Sequence, residues 1–282
     1  MIKLSAFSDE AGSTLKEQIN ALNRNGISYM EVRSICGKNV SEFSIAEAKE
    51  YLTEMNDFGV SVWAIGSPIG KVDINVNYVE YKDKIKKVCE LANVFKTDKI
   101  RSFSFHNAYG ERNKVIDYLS QMVEIGNSYG VKFCHENEKD VYGDTLERVV
   151  DILDNVNGLK CVYDPANFVQ CGQSADETIS ALHGRAEYFH IKDVINATGE
   201  LVPAGYGDGK IEKIVNLIND DKVLTLEPHL AVFEAYKSID NTEMKHKFSY
   251  KDAGEAFDSA VTALKNILFK AGYSEVKGEF IK

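Results

Sequence analysis

The chain has 282 residues, 27% of them charged and 44% hydrophobic, and a formal net charge of −10. That length suits two ordinary domains or one undivided α/β barrel, and the composition is that of a globular protein with a sizeable core, not of a disordered one. The acidic balance argues against a nucleic-acid partner, whose phosphates need clustered Lys and Arg.

Five cysteines, at positions 36, 89, 134, 161 and 171, form no CxxC pair and are odd in number, as expected of reduced thiols in a cytoplasmic protein. The opening MIKLSAFSDEAG holds only a short apolar run, too short for a secretory signal or a membrane span, so no membrane partner is expected. The sequon at Asn196-Ala197-Thr198 is therefore read as chance.

From residue 2 onward, apolar runs of strand length alternate with amphipathic stretches. A first strand covers residues 2–7. Gly26, Gly59, Gly130, Gly158 and Gly184 each precede a new strand, the place of a glycine just past a helix end. Two further junctions fall near residues 97–98 and 220–221. Ser44 with Glu47, Asp144 with Glu147 and Ser174 with Glu177 have the spacing of capping boxes, and residues 77–94, 111–129 and 251–270 carry apolar positions at helical spacing. The count is eight strand–helix units of about 25 to 40 residues, which predicts an α/β chain folded as a single (β/α)8 TIM barrel over residues 1–282, with an open doubly wound sheet as the alternative. Pro68, Pro165, Pro203 and Pro228 all lie just beyond predicted strands, on the face where such barrels build their sites. The longest connection, from 228 to about 250, has the length of a lid or a contact surface.

Four of these strands end on side chains that bind metals. Glu136 closes VKFCHE, Asp164 ends CVYD before Pro165, His190 closes AEYFH, and Glu227 closes KVLTLE before Pro228. One βα unit separates each from the next, so they belong to strands five to eight and stand side by side at one mouth. Strand alternation turns Cys134, Val162, Tyr188 and Thr225 inward with them, and sets Phe133, Tyr163, Phe189 and Leu226 against the helices. An aspartate before proline often only starts a turn, and a lone strand-end histidine commonly belongs to a core. Three carboxylates and an imidazole converging without a counter-cation would be costly, however, so the set is read as the ligands of one divalent metal ion, Mn, Mg, Co or Zn.

The chain resembles the sugar phosphate isomerase/epimerase family of xylose isomerase-like TIM barrels. The likeness is carried by FSDE (7–10), SPIGK (67–71), HENE (135–138), YDPANF (163–168), FHIKDV (189–194), LEPHL (226–230) and AGEAFDSAV (253–261). It implies a metal on Glu136, Asp164, His190 and Glu227 and a small-molecule carbohydrate substrate. Glu136 and Glu227 would exchange a proton beside a metal-bound carbonyl through an enediolate. A homo-oligomer is left open. Lys71, His106, Asn167, Lys192 and His229 fall in the same mouth as candidate substrate contacts, with His106 ending strand four behind an inward Ser102 and Ser104.

Several ketose epimerases of the family carry a histidine where Asn167 stands. An amide there can hydrogen-bond a hydroxyl but cannot titrate, so ketose 3-epimerisation does not carry over to this chain on motif alone. Glu31 and Arg33 share a face of strand two and are expected to pair. Gly205, Gly207 and Gly209 in AGYGDGK read as a plain turn or, less favoured, a phosphate cradle, which leaves free and phosphorylated sugars both open. The rival functions are a keto-cyclitol (inosose-type) dehydratase and a non-catalytic metal-bound sugar sensor. An apurinic endonuclease would need a histidine-rich multi-metal site and a basic surface, against six histidines and an acidic chain.

Overall fold

The computed structural model describes residues 1–231 and 248–282, so most of the predicted connection from 228 to about 250 lies outside the described residues. Eight strands, β1 (Ile2–Ala6), β2 (Tyr29–Val32), β3 (Ser61–Ile65), β4 (Lys99–Ser102), β5 (Lys132–Glu136), β6 (Lys160–Tyr163), β7 (Ala186–Ile191) and β8 (Lys222–Leu226), pair in that order, all parallel. β8 returns to β1, with Ile2 opposite Lys222 and Ala6 opposite Leu226. The sheet is therefore a closed barrel, and the open-sheet alternative falls.

Parallel neighbours need crossovers, and helices supply them. These are α1 (Leu15–Arg24), α2 (Ile45–Asp57), α3 (Tyr78–Val94), α4 (Arg112–Ser128), α5 (Leu146–Asn155), the pair α6 (Pro165–Gln170) and α7 (Ala175–Leu182), and α8 (Ile211–Leu217); α9 (Ala253–Lys270) follows β8. No helix among the described residues is long and apolar enough to cross a membrane. A C-terminal hairpin, Ser274–Val276 with Glu279–Ile281, pairs antiparallel to the start of β1.

The alternation expected of the strands is present. Phe133, Tyr163, Phe189 and Leu226 belong to the large core shared with the helices, while Cys134, Val162 and Tyr188 pack inside the barrel with Ala64 and Val223. The Ser44–Glu47 capping box forms, and Ser174 caps α7 by accepting from the Glu177 amide. The Asp144 cap does not form. Residues 142–144 make a single 3-10 turn, Thr145 takes the cap position, and Asp144 instead receives Tyr109 and Arg148. At the junction near residue 97 that lacks a glycine, Lys96 adopts the left-handed conformation at φ +58°.

Strand four departs from expectation in a way that matters for the site. β4 stops at Ser102, and Arg101 lies opposite Cys134, so the arginine faces the barrel interior while Ser102, opposite His135, faces out. Ser104 also turns away, accepting a hydrogen bond from the Gly143 amide. Beyond the two strands the chain stays laddered. The Phe103, Phe105 and His106 amides donate to the Ile69, Gly70 and Val72 carbonyls, and the Ile74 amide returns to His106.

Candidate metal centre

Glu136 is the last residue of β5, Asp164 follows β6, His190 sits one residue before the end of β7, and Glu227 follows β8. All four are buried, and one potential ligand atom from each lies within 4.8 Å of the other three. His190 Nδ1 stands 2.8 Å from Glu136 Oε1 and 3.2 Å from Glu227 Oε2. Asp164 Oδ2 and Glu227 Oε2 have ion-pair neighbours at 3.2 Å but no hydrogen-bond partner. Three carboxylates and one imidazole, with buried carboxylate oxygens left without hydrogen bonds, are a fitting donor set for a divalent cation.

Each of the four side chains is held from behind. Asp164 caps α6, accepting the Asn167 amide at 2.9 Å, with Pro165 in the first helical turn where its missing N–H costs nothing. Asn137 reads both sides of the Asp164 backbone: its amide nitrogen donates to the Asp164 carbonyl at 2.8 Å, and its oxygen accepts the Asp164 N–H at 2.9 Å. His190 is oriented by Glu31, whose Oε2 lies 3.2 Å from Nε2 and whose Oε1 accepts from the Tyr188 hydroxyl at 2.9 Å. With a cation bound, that contact would keep the proton on Nε2 and leave the Nδ1 lone pair, on the side of the carboxylates, for the metal.

Two buried arginines complete the cluster. Arg33 spans Asp9 at 2.9 Å, Glu10 at 3.1 Å and Glu227 at 3.0 Å. Arg101 meets Glu136 at 3.1 Å and Glu227 at 3.8 Å, and donates to the carbonyls of Gly66 and Ser67. The expected pairing of Glu31 with Arg33 is thus replaced: the charge density of Asp9, Glu10 and Glu227 draws the guanidinium, and the histidine draws the glutamate.

Burial pushes Asp164 up to about 7 despite Lys192, and Glu10 up to about 8 despite Arg33. Burial acts in the same upward direction on Glu227, but Lys192 and His190 outweigh it and hold this carboxylate well below its usual range. Burial would lower His190, yet Glu136 and Glu31 carry it well above the ordinary imidazole value.

Among the other candidate contacts, three touch the cluster. Lys192 Nζ lies 3.2 Å from Asp164 and 3.9 Å from Glu227. Asn167 donates to the Asn137 carbonyl at 2.9 Å and approaches Glu136 Oε1 at 3.5 Å. His229 donates its backbone N–H to Glu10, and its ring lies 3.7 Å from Glu227. Lys71 is one step out, paired with Glu138 at 2.9 Å over the Phe103 ring. His106 lies apart: it comes after β4, not at its end, and its ring meets the Asp140 carbonyl at 2.8 Å.

The AGYGDGK loop is closed from within. The amides of Val194, Gly205, Gly207 and Gly209 all donate to the Asp193 carboxylate, at 2.9 to 3.0 Å. The carboxylate occupies the place a bound phosphate would take. Sequence reasoning passed over Asp9, Glu10, Arg101 and Asn137 as site residues. Asp9, Glu10 and Asn137 sit inside the FSDE and HENE stretches that carried the resemblance, while Arg101 has no local signal beyond its place in a strand.

A parallel barrel whose last four strands each deliver a metal-competent side chain to one mouth defines a class of TIM barrels with their chemistry at the C-terminal face. The profile of the xylose isomerase-like TIM barrel family matches residues 19–246, and the chain belongs to that family. It is 20% identical over 168 residues to a 3-dehydroshikimate dehydratase of Bacillus anthracis, a match covering 54% of this chain and 60% of that protein's length. Among solved structures it is similar to D-psicose 3-epimerase determined in the presence of D-fructose (TM-score 0.74, 16% identity, 96% of this chain and 99% of that one). It is also similar to an IolI protein with a bound zinc atom (TM-score 0.73, 17% identity, 95% and 99%). Likeness at these identities speaks for the fold.

Proposed function

We propose that the chain is a divalent-metal-dependent isomerase or epimerase of a sugar or sugar phosphate, which moves a proton on a carbon next to a carbonyl. The observation that supports this most is the convergence of Glu136 and Glu227 on one imidazole nitrogen, with Asp164 completing a cluster whose donor atoms lie within 4.8 Å. Glu136, Asp164, His190 and Glu227 would hold Mn, Mg, Co or Zn. A cation bound there would polarise a carbonyl and supply positive charge to offset the negative charge that develops when the neighbouring carbon loses its proton.

The chain's own groups do the rest. Arg101 and Arg33 each hold one oxygen, of Glu136 and Glu227 respectively, and so fix the direction in which these two carboxylates face a substrate. When one glutamate removes the proton and the other returns it to the opposite face, the outcome is epimerisation. When the proton returns to the adjacent carbon, the outcome is isomerisation. Lys192, with its ammonium between Asp164 and Glu227, can steady developing negative charge on a substrate oxygen.

A second reading is a dehydratase, favoured by the partial likeness to the 3-dehydroshikimate dehydratase. The first proton abstraction is the same, and Lys192 would then protonate a departing hydroxyl. The test loads the protein with Mn, Mg, Co or Zn and follows deuterium uptake from D2O into ketoses, their phosphates and inososes, with product analysis to separate dehydration. Glu136→Gln and Glu227→Gln should each abolish uptake. Uptake retained in both variants would remove these roles, and binding without exchange would leave a sugar sensor.

A further inference from the structure

We infer that the barrel mouth carries a second, anion-binding subsite opposite the metal-ligand cluster, and that the substrate bears a carboxylate or phosphate group that occupies it. The inference rests on the reading of this mouth as the substrate site and adds to it the chemical class of the substrate.

The observation is a cavity of about 200 Å³ over strands β2 to β4. Its lining includes Arg33, Lys71, Lys84 and Arg101, with Glu42 as the one acid. Glu42 is turned to local use, accepting the Asn39 amide at 3.2 Å in the turn before α2. The acids that pair with Arg33, Lys71 and Arg101, namely Asp9, Glu10, Glu136, Glu138 and Glu227, stand outside the lining, so the surface a guest meets is made mostly of cations. Arg101 is almost fully buried, and its Nε has no hydrogen-bond partner. A guanidinium at the edge of a cavity is a good partner for a planar or tetrahedral oxyanion.

Arg101 also fixes the location. Its Nη1 is 3.1 Å from Glu136 and 3.8 Å from Glu227, so the cavity borders the metal-ligand cluster directly. At roughly 30 Å³ per water, the space corresponds to about seven waters, enough for an oxyanion and the carbon beside it. A substrate whose carbonyl end lies among the four ligands therefore sends its other end toward these cations. The glycine loop after β7 offers no competing place for that group, since Asp193 already fills it.

Equilibrium binding by calorimetry tests the subsite without turnover, on metal-loaded and metal-free protein. Two matched probe pairs are used: D-fructose 6-phosphate against D-fructose, and quinate against myo-inositol. The charged member of at least one pair should bind about tenfold more tightly, with an affinity that falls as salt is raised. A preference confined to the first pair assigns phosphate and one confined to the second assigns carboxylate; both sustain the subsite.

Lys84→Glu reverses a charge at the exposed rim on α3, where it leaves the core intact, and should cut the preference to about twofold or less. Lys86→Glu, on the same helix but outside the cavity, makes the same change in net charge and should leave the preference as it was. No preference in either pair, or equal effects of the two lysine variants, would overturn the subsite. Absence of deuterium exchange alongside an intact charge preference would instead count only against the isomerase reading.

Discussion

Removing the Asp193 carboxylate tests whether the glycine loop after β7 is a structural knot or an open ligand cradle. In Asp193→Ala four backbone N–H groups lose their acceptor. Those of Val194 and Gly209 are buried, while those of Gly205 and Gly207 are partly reached by water. An orphaned buried donor costs about 1–3 kcal/mol, so the two buried ones set the scale. Part of this is offset, because burial also pushes the Asp193 carboxyl above its usual range and its removal relieves that penalty. The expected net loss is about 2–4 kcal/mol, read from urea denaturation at neutral pH. Asp193→Asn, which keeps one acceptor oxygen, should fall between the variant and the parent. Added phosphate should recover part of the Asp193→Ala loss by entering the emptied nest, and should not stabilise the parent through this loop. A loss under about 0.5 kcal/mol in Asp193→Ala would refute the reasoning.

Three further outcomes follow from the same contacts. Glu31→Leu removes the acceptor of the His190 Nε2 proton, and Mn affinity measured by calorimetry should weaken about 10- to 100-fold with the far-ultraviolet spectrum unchanged; equal affinity would exclude the orienting role. Gly70→Ala places a Cβ against the Phe103 carbonyl, 2.5 Å from its carbon, at φ +91°, and should cost about 3 kcal/mol or more in urea denaturation. Asn137→Ala leaves both polar groups of the Asp164 backbone unsatisfied; about 2 kcal/mol of stability should go, together with metal affinity, whereas affinity alone unchanged would show that Asp164 holds its position without it.

The barrel was legible because its signals are local. Glycines past helix ends, capping residues such as Ser44, and strands that alternate in period two each report a conformation of a few neighbouring residues. The strand–helix unit they mark recurs eight times, which leaves little room for another fold. The four-residue cluster was legible for the same reason: each member sits at a strand end, and the spacing between them is the length of one repeat. What the sequence could not show is the pairing among charged side chains across the barrel. Arg33 reaches Glu227 over a separation of 194 residues, and Tyr188 reaches Glu31 over 157. Such partners are chosen by the closed geometry, which decides between Glu31 and the Asp9–Glu10–Glu227 group as the neighbour of Arg33. Arg101 turned on register alone, since a single step of β4 against β5 exchanges it with Ser102. The Asp193 nest was hidden because a Gly-rich loop before a helix has the same local pattern whether its amides hold a ligand or the chain's own carboxylate.

The ladder that continues above β3 and β4 has a consequence for selectivity. Its backbone bonds tie the segment bearing Lys71 to the one bearing Phe103, so that wall of the mouth cannot give way around a bulky guest. On the other side, the four clustered side chains are tied to strand ends. With both walls pinned, the span from the cluster to the proposed anion subsite would act as a ruler, sorting candidate molecules by the number of carbons between their carbonyl and their charge before any chemistry begins.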